Sequence, residues 1–388
     1  MRAIRLFFSA PSFPLLLAVL LLAGCASAHP GGGTASQDPP GGLHPREVPQ
    51  FVNFGFDDNA ISGREGSGTS GGVRAIRELF EGRRNPAGNG NPWTWDGEPA
   101  RFSLYVVTRY ITEPGVDDPE HVKAEWRAVA DAGHEIGLHT HTHPHGAKHT
   151  TAQWLEEVRA CREWLTREHI PGRTSGAGLQ SDDIVGFRTP YLEHGPPLFP
   201  ALREAGVRYD CSIQEGFDAQ FGAHNVYWPY RIAPEYGGAP ANANELWEIP
   251  SYALVVPPDE ACAKYGVEPG LRDRLHAVRD YFNPADGKIT GFDWNLWVEF
   301  GMTREEVVAT FRYTLDQRLA GNRAPLTFGA HSDIYSEQYE ADLPTSAEER
   351  RQALREILDH ALAHPDVRVV SARQILEWVR SPAPLRPR

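Results

Sequence analysis

Phe51-Val52-Asn53-Phe54-Gly55-Phe56-Asp57-Asp58 is an apolar run that ends in two adjacent carboxylates. Its dense apolar character reads as a β-strand buried on both faces, the kind found inside a parallel sheet. Two neighbouring carboxylates at a strand end do not both stay ionised without penalty unless a cation sits beside or between them. A matching set lies further along the chain. His139-Thr140-His141-Thr142-His143-Pro144 follows a second apolar stretch, Glu135-Ile136-Gly137-Leu138. It supplies paired imidazoles of the type a divalent cation takes as ligands. Pro144 disfavours a helical conformation at His143, so the pair is expected on a turn. One carboxylate would then serve the metal and the other would be left for proton transfer.

Outward from this pair, short β-rich runs alternate with amphipathic helices. Strands are expected at 48–56, 101–108, 135–138, 184–187, 207–209, 246–249, 326–328 and 367–370. Thr303 with Glu306, Ser346 with Glu349, and Ser371 with Gln374 have the spacing of helix-starting capping boxes. Further helices are expected at 119–132 and 198–205, each stopped by a glycine. The alternation implies an α/β fold with parallel strands. Residues with chemical potential stand just past strand ends: Asp57 and Asp58, His139, Arg188, Asp210 and His331. In a closed parallel barrel those ends converge on one face, where barrel enzymes carry their sites. Long insertions at 62–97 and 213–244 are expected to shape a groove there. Trp228, Tyr230, Trp247, Trp294 and Trp297 are candidates for stacking on sugar rings.

These residues, in order, resemble the motifs of the polysaccharide deacetylase family, the NodB-homology or carbohydrate esterase family 4 enzymes, over residues 48–378. Phe56-Asp57-Asp58-Asn59 looks like its first motif, His139 to Pro144 its second and Arg188-Thr189-Pro190-Tyr191 its third. Tyr209-Asp210-Cys211-Ser212 and Phe328-Gly329-Ala330-His331 resemble the fourth and fifth more loosely, and a segment at Trp247-Glu248-Ile249-Pro250 resembles the chitin-deacetylase-like members. The resemblance implies a distorted (β/α)7-type barrel with long loops at the strand C-terminal face. It also implies a metal-dependent hydrolase that removes N-acetyl, or less often O-acetyl, groups from a glycan such as chitin oligosaccharide or peptidoglycan. Asp58, His139 and His143 would hold a divalent metal, zinc in the first instance. Asp57 would be the general base, paired with Arg188, and the backbone N–H of Tyr191 would meet the oxyanion. His331 would be the general acid, held protonated by Asp210. Asn59 departs from the pattern and could narrow the space near the metal, while Gly329 could remove part of an apolar acetyl pocket. A glycan-binding protein without turnover, or a metal amidase acting on a non-sugar amide, remain as alternatives.

The chain has 388 residues and a net charge of −13 without a Lys/Arg cluster, which argues against nucleic acid as a partner. Residues 1–24 read as a secretory signal: Arg2 and Arg5 precede an apolar core too short to span a bilayer. Leu22-Ala23-Gly24-Cys25 resembles a bacterial lipobox, which would lipidate Cys25 and attach the protein to the cell envelope. Ordinary cleavage at Ala26-Ser27-Ala28 is the alternative. Residues 25–47, rich in Gly, Pro and Ser, are expected as a flexible tether, and 379–388 as a tail. Cys161 is expected on a buried helix face, leaving Cys211 and Cys262 either bridged or as free thiols. The oligomeric state is not legible.

Overall fold

The computed structural model describes residues 35–60, 71–113, 118–218, 224–233, 245–339 and 343–385. The signal segment and Cys25 lie outside them. Every strand expected from the sequence is present. We number the parallel strands β1 (Gln50–Asp57), β2 (Ser103–Val106), β3 (Glu135–Leu138), β4 (Gly186–Phe187), β5 (Tyr209–Asp210), β6 (Trp247–Glu248), β7 (Leu326–His331) and β8 (Val367–Val369). They form one curled sheet in the order β7-β1-β2-β3-β4-β5-β6, with β8 also pairing with the first half of β1 and Tyr230–Arg231 adding antiparallel to β6. The barrel does not close through a ladder between β6 and β7. That gap is bridged by single contacts: Tyr252 N–H donates to Thr327 Oγ1, and Gly329 N–H donates to Gly291 O. The curled sheet corresponds to the distorted barrel that the resemblance implies, and its half-open form is a feature the structure adds.

All of β1 is buried. Because side chains alternate across a strand, Val52, Phe54 and Phe56 join the main core, where Phe54 packs against Phe80, Phe311 and Phe328. Asn53, Gly55 and Asp57 therefore share the opposite face. The expected capping boxes are formed at Thr303, Ser346 and Ser371, starting the helices Arg304–Ala320, Ala347–Ala363 and Ala372–Arg380. Their reciprocal hydrogen bonds satisfy backbone donors that the first helical turn leaves open.

Several expectations are corrected. Residues 35–47 are tied to the body instead of loose. Trp228 N–H donates to Ser36 O, Asn322 Nδ2–H donates to Gln37 O, and His44 caps the turn Pro45–Glu47. The C-terminal tail is likewise anchored, with Leu385 N–H donating to Glu47 O. The insertion after β1 contains a helix, Gly72–Phe80, whose Val73, Ile76, Leu79 and Phe80 are buried. Cys161, Cys211 and Cys262 are all buried free thiols, so Cys211 and Cys262 form no bridge. No helix among the described residues is long and apolar enough to cross a membrane.

Candidate metal centre and active site

At the C-terminal ends of β1 and β3, Asp58, His139 and His143 bring one ligand atom each to within 4.8 Å of one another. Asp58 leaves the strand with φ 67°, and His143 turns with φ 57° on a loop, not a helix. His139 Nδ1–H donates to the Arg188 carbonyl at 2.8 Å, which turns its Nε2 lone pair toward Asp58 Oδ1 at 3.5 Å. His143 Nε2 lies 3.1 Å from the same oxygen. That oxygen is buried and has no hydrogen-bond partner. A lone pair facing a carboxylate is unfavourable without a cation between them, so this donor set fits a divalent metal. One carboxylate and two imidazoles leave room for water, as a catalytic zinc site requires.

Asp57 stands beside this group on β1, 2.8 Å from Arg188 Nη1. Arg188 is buried, with its guanidinium between the rings of Tyr105 and Phe292. Burial works against its charge, but Asp57 outweighs this and pushes its pKa above the ordinary value. Two glycines make the packing possible. A Cβ on Gly55 would meet Arg188 Nη2 at 2.9 Å, and one on Gly329 would meet the Phe292 ring at 2.5 Å. Gly329 therefore does not leave an apolar pocket incomplete: its missing side chain is the space that Phe292 fills. Asn59 does not narrow the metal site either. Its Nδ2 donates to the carbonyls of Phe56 and Tyr105, and its own carbonyl accepts from Trp126 Nε1.

The register of β1 against β7 pairs Asp57 with His331. The partner of His331 is Asp293, not Asp210. His331 Nδ1–H and backbone N–H donate to the two oxygens of Asp293 at 2.8 and 2.9 Å. Burial alone would lower the His331 pKa; Asp293, with Asp58 and Asp57 further off, raises it to about 10. Asp293 was missed because the segment around it, Gly291-Phe292-Asp293-Trp294, is marked by neither period nor spacing.

Asp210 acts elsewhere. Its Oδ1 accepts from Ser212 Oγ at 2.6 Å, and Ser212 Oγ accepts from Thr189 N–H at 2.9 Å, steadying the Arg188–Tyr191 turn. It also faces Glu248, its register partner on β6. Both are buried, and burial pushes both carboxyls up, with Asp210 adding to the rise at Glu248. Apart from one another, Asp210 Oδ2 and Glu248 Oε2 have no partner. One proton shared between them satisfies both. Glu248→Gln should thus leave the melting temperature nearly unchanged, whereas Glu248→Ala should cost about 1–3 kcal/mol by orphaning Asp210. Equal losses in thermal unfolding of the two variants would contradict the shared proton.

The cavity around these residues measures about 580 Å³ and is also lined by Tyr191, Phe292, Trp294, Asp333 and Tyr339. Backbone strain gathers here. Six of the eight non-glycine residues with positive φ among the described residues are Asp58, Asn59, Thr140, His143, Tyr191 and Leu192. Each costs on the order of 1–3 kcal/mol, so the surroundings must hold them. Glu157, a residue the sequence reading passed over, accepts from the backbone N–H groups of His141 and Thr142 and from the Thr142 hydroxyl. Of the proposed sugar-stacking aromatics, Trp294 lines this cavity, whereas Trp228, Tyr230 and Trp297 are core and Trp247 is half-buried. His134 is buried and stacks on Phe102, and half-buried His141 lies parallel to the Trp164 ring at 6.5 Å; neither joins the ligand set.

A family profile described as polysaccharide deacetylase matches residues 98–209, which include His139, His143, Arg188 and Tyr191. Chitin deacetylase 1 of Bombyx mori is 23% identical over 351 residues, covering 88% of this chain and 53% of the relative. Chitin deacetylase 8 of the same organism is 22% identical over 357 residues, covering 90% and 76%. The match to the polysaccharide deacetylase family covers residues 98–209, and the curled parallel sheet is of the NodB-homology type. A crystal structure of a candidate polysaccharide deacetylase from Mycobacterium smegmatis shares that fold with TM-score 0.54 and 17% identity, over 89% of this chain and 95% of the other. The chain spans about half the length of the first curated relative. Asp57, Asp58, Asp293 and His331 all lie outside the matched stretch and join the site only through the fold.

Proposed function

We propose that the protein is a metal-dependent hydrolase that removes acetyl groups, N-linked before O-linked, from a glycan of the N-acetylglucosamine type. The observation that carries this reading is the Asp58, His139 and His143 donor set with the Asp57–Arg188 and His331–Asp293 pairs around one cavity. A divalent metal held there, zinc in the first instance, would lower the pKa of water and polarise an acyl carbonyl. Asp57, oriented by its 2.8 Å contact with Arg188, accepts the proton of the attacking water. The Tyr191 backbone N–H meets the developing oxyanion. His331, charged through Asp293, gives its proton to the departing amine. The relatives named as chitin deacetylases support an N-acetylated sugar. A lipid anchor at Cys25 would place the reaction at the cell envelope.

The test is acetate release from chito-oligosaccharides, peptidoglycan and acetylated xylan, with and without chelator. Chelator-sensitive release is expected, and its absence on all three substrates would overturn the reading. The pH profile tests the acid. His331 donates only while protonated, so activity falls as pH rises through its pKa. Asp293→Asn removes the main cause of the upward shift, and burial then draws His331 down. The alkaline limb of kcat/KM should accordingly move to lower pH. An unmoved limb would assign it to another group.

A further inference from the structure

A separate cavity of about 320 Å³ opens at the opposite end of the sheet, beside the residues that lead into β2 and β3. Strand β3 runs from its wall residue His134 to the metal ligand His139, a span of roughly 17 Å at about 3.3 Å per residue. A ligand held there is therefore out of reach of the metal centre. The wall carries Arg77, Arg83, Arg84 and Arg101 against one acid, Glu81. In a chain of net charge −13 this is a local reversal of sign. Glu81 is exposed and makes no ion pair among the described residues, so it does not neutralise the wall.

Helix capping explains only part of this cluster. Arg83 Nη1 donates to Leu79 O and Arg101 Nη1 to Ala132 O, at the ends of the helices Gly72–Phe80 and Pro119–Asp131. A helix terminus carries only about half an elementary charge, so it does not neutralise a guanidinium. Arg83 also has Asp359, and Arg77 shares Glu125 with Arg74. Arg84 and Arg101 have no ion-pair partner among the described residues, although Arg84 Nε donates to Gly97 O at 2.7 Å. Burial draws the Arg101 pKa down, Glu98 opposes this, and Arg84 draws it down again. Burial, then Arg101 and Arg77, lower His134 to about 3, so its ring is neutral. His134 Nδ1 accepts from Phe102 N–H at 3.3 Å, which leaves the proton on Nε2. That N–H has no partner among the described residues, and its ring lines the cavity. The ring is only 8% exposed and is fixed by stacking on Phe102 at 3.8 Å. A Cβ on Gly133 would meet Arg101 Nη2 at 2.9 Å, so this glycine admits the guanidinium beside His134.

We propose that this cavity binds a phosphate group, held by Arg84, Arg101 and the Nε2–H of His134. Guanidinium forks match phosphate oxygens in both geometry and charge. A tetrahedral phosphate offers more acceptor oxygens and more charge than a carboxylate, which suits several cations converging with one neutral donor. Free phosphate and a phospholipid headgroup present the same chemistry. The proposal is independent of the metal and glycan readings, because the site lies at the other end of the sheet. Occupied by a headgroup, it would turn the catalytic cavity away from the bilayer.

The experiment uses the full-length, metal-loaded protein with Arg84→Gln, Arg101→Gln and His139→Ala variants. Inorganic phosphate and acetate are titrated by calorimetry, and the His134 imidazole is followed by NMR across pH. Phosphate should bind more tightly than acetate and raise the His134 pKa, because a bound anion favours the charged ring. Each arginine variant should weaken phosphate binding by about tenfold or more, the size of a charge-assisted hydrogen bond. Arg84 is exposed, so its variant keeps the result readable even if Arg101→Gln fails to fold. Binding should persist in His139→Ala, which excludes phosphate held by the metal. Vesicles of phosphatidylglycerol and of zwitterionic phosphatidylcholine then separate the sources, since an acyl anchor would bind both alike. Preference for the first that is lost in the arginine variants supports the site with a headgroup in it, and no preference supports it with free phosphate. Absence of phosphate binding in the wild type, indifference to both arginine changes, acetate bound as tightly, or loss of binding in His139→Ala overturns the site.

Discussion

Asp57→Asn is expected to reduce acetate release by about 10²–10⁴-fold while leaving the divalent metal bound. The side chain ends β1, buried, with Oδ1 on Arg188 Nη1 at 2.8 Å. Asparagine keeps its shape and its place between the metal ligands and Arg188, but is no longer a base. The substitution has a second consequence. Arg188 is buried and would lose its only ion-pair partner among the described residues. Breaking a buried pair from one side costs roughly 3–5 kcal/mol, so a lower melting temperature is expected as well. Activity should be measured well below that temperature, with metal content determined on the same sample. Retention of metal with turnover within severalfold of wild type would remove Asp57 from the role of base.

His139→Ala is expected to abolish metal binding at this site and all chelator-sensitive turnover with it. His139 is the most buried of the three ligands and is aimed by the carbonyl of Arg188, so nothing nearby can take its place. Removing a hydrogen-bond partner of a metal ligand typically costs roughly 10–100-fold in affinity, and loss of the ligand itself should exceed that. Competition against a chromophoric chelator measures the change directly. Unaltered affinity would mean that the metal sits elsewhere. His145→Ala is the matched control, because His145 is exposed and stacks on Tyr191 without joining the ligand set.

Much of the site is legible because strand ends and the turns that follow them are local features. Phe51 to Asp58 announces a doubly buried strand and its terminal carboxylates in one stretch, and the structure places them at the end of β1. The His139–Pro144 turn and the Arg188–Tyr191 turn are equally local, and both stand next to Asp57 and Asp58. Asp210 shows the boundary of that reasoning. It is the last residue of β5, whereas the sequence placed it just past the strand end, and strand-end position alone does not say what a side chain meets. The neighbouring strand presents Glu248, and the two carboxyls turn toward one another and away from His331.

By itself the sequence determined the parallel strands and singled out Asp58, His139 and His143, which the fold brings together, and Asp57 with Arg188, which it pairs. Alternation of side chains, capping spacings and turn-forming prolines act over a few residues, and the chain spells them out in order. Only the tertiary structure decided that Asp293 orients His331 across 38 residues of chain and that Phe292 occupies the space Gly329 vacates. Those pairings depend on how loops beyond the sheet fold back over its open edge between β6 and β7. No local pattern records that packing, because the groups that meet there are set by shape and burial between segments far apart in the chain.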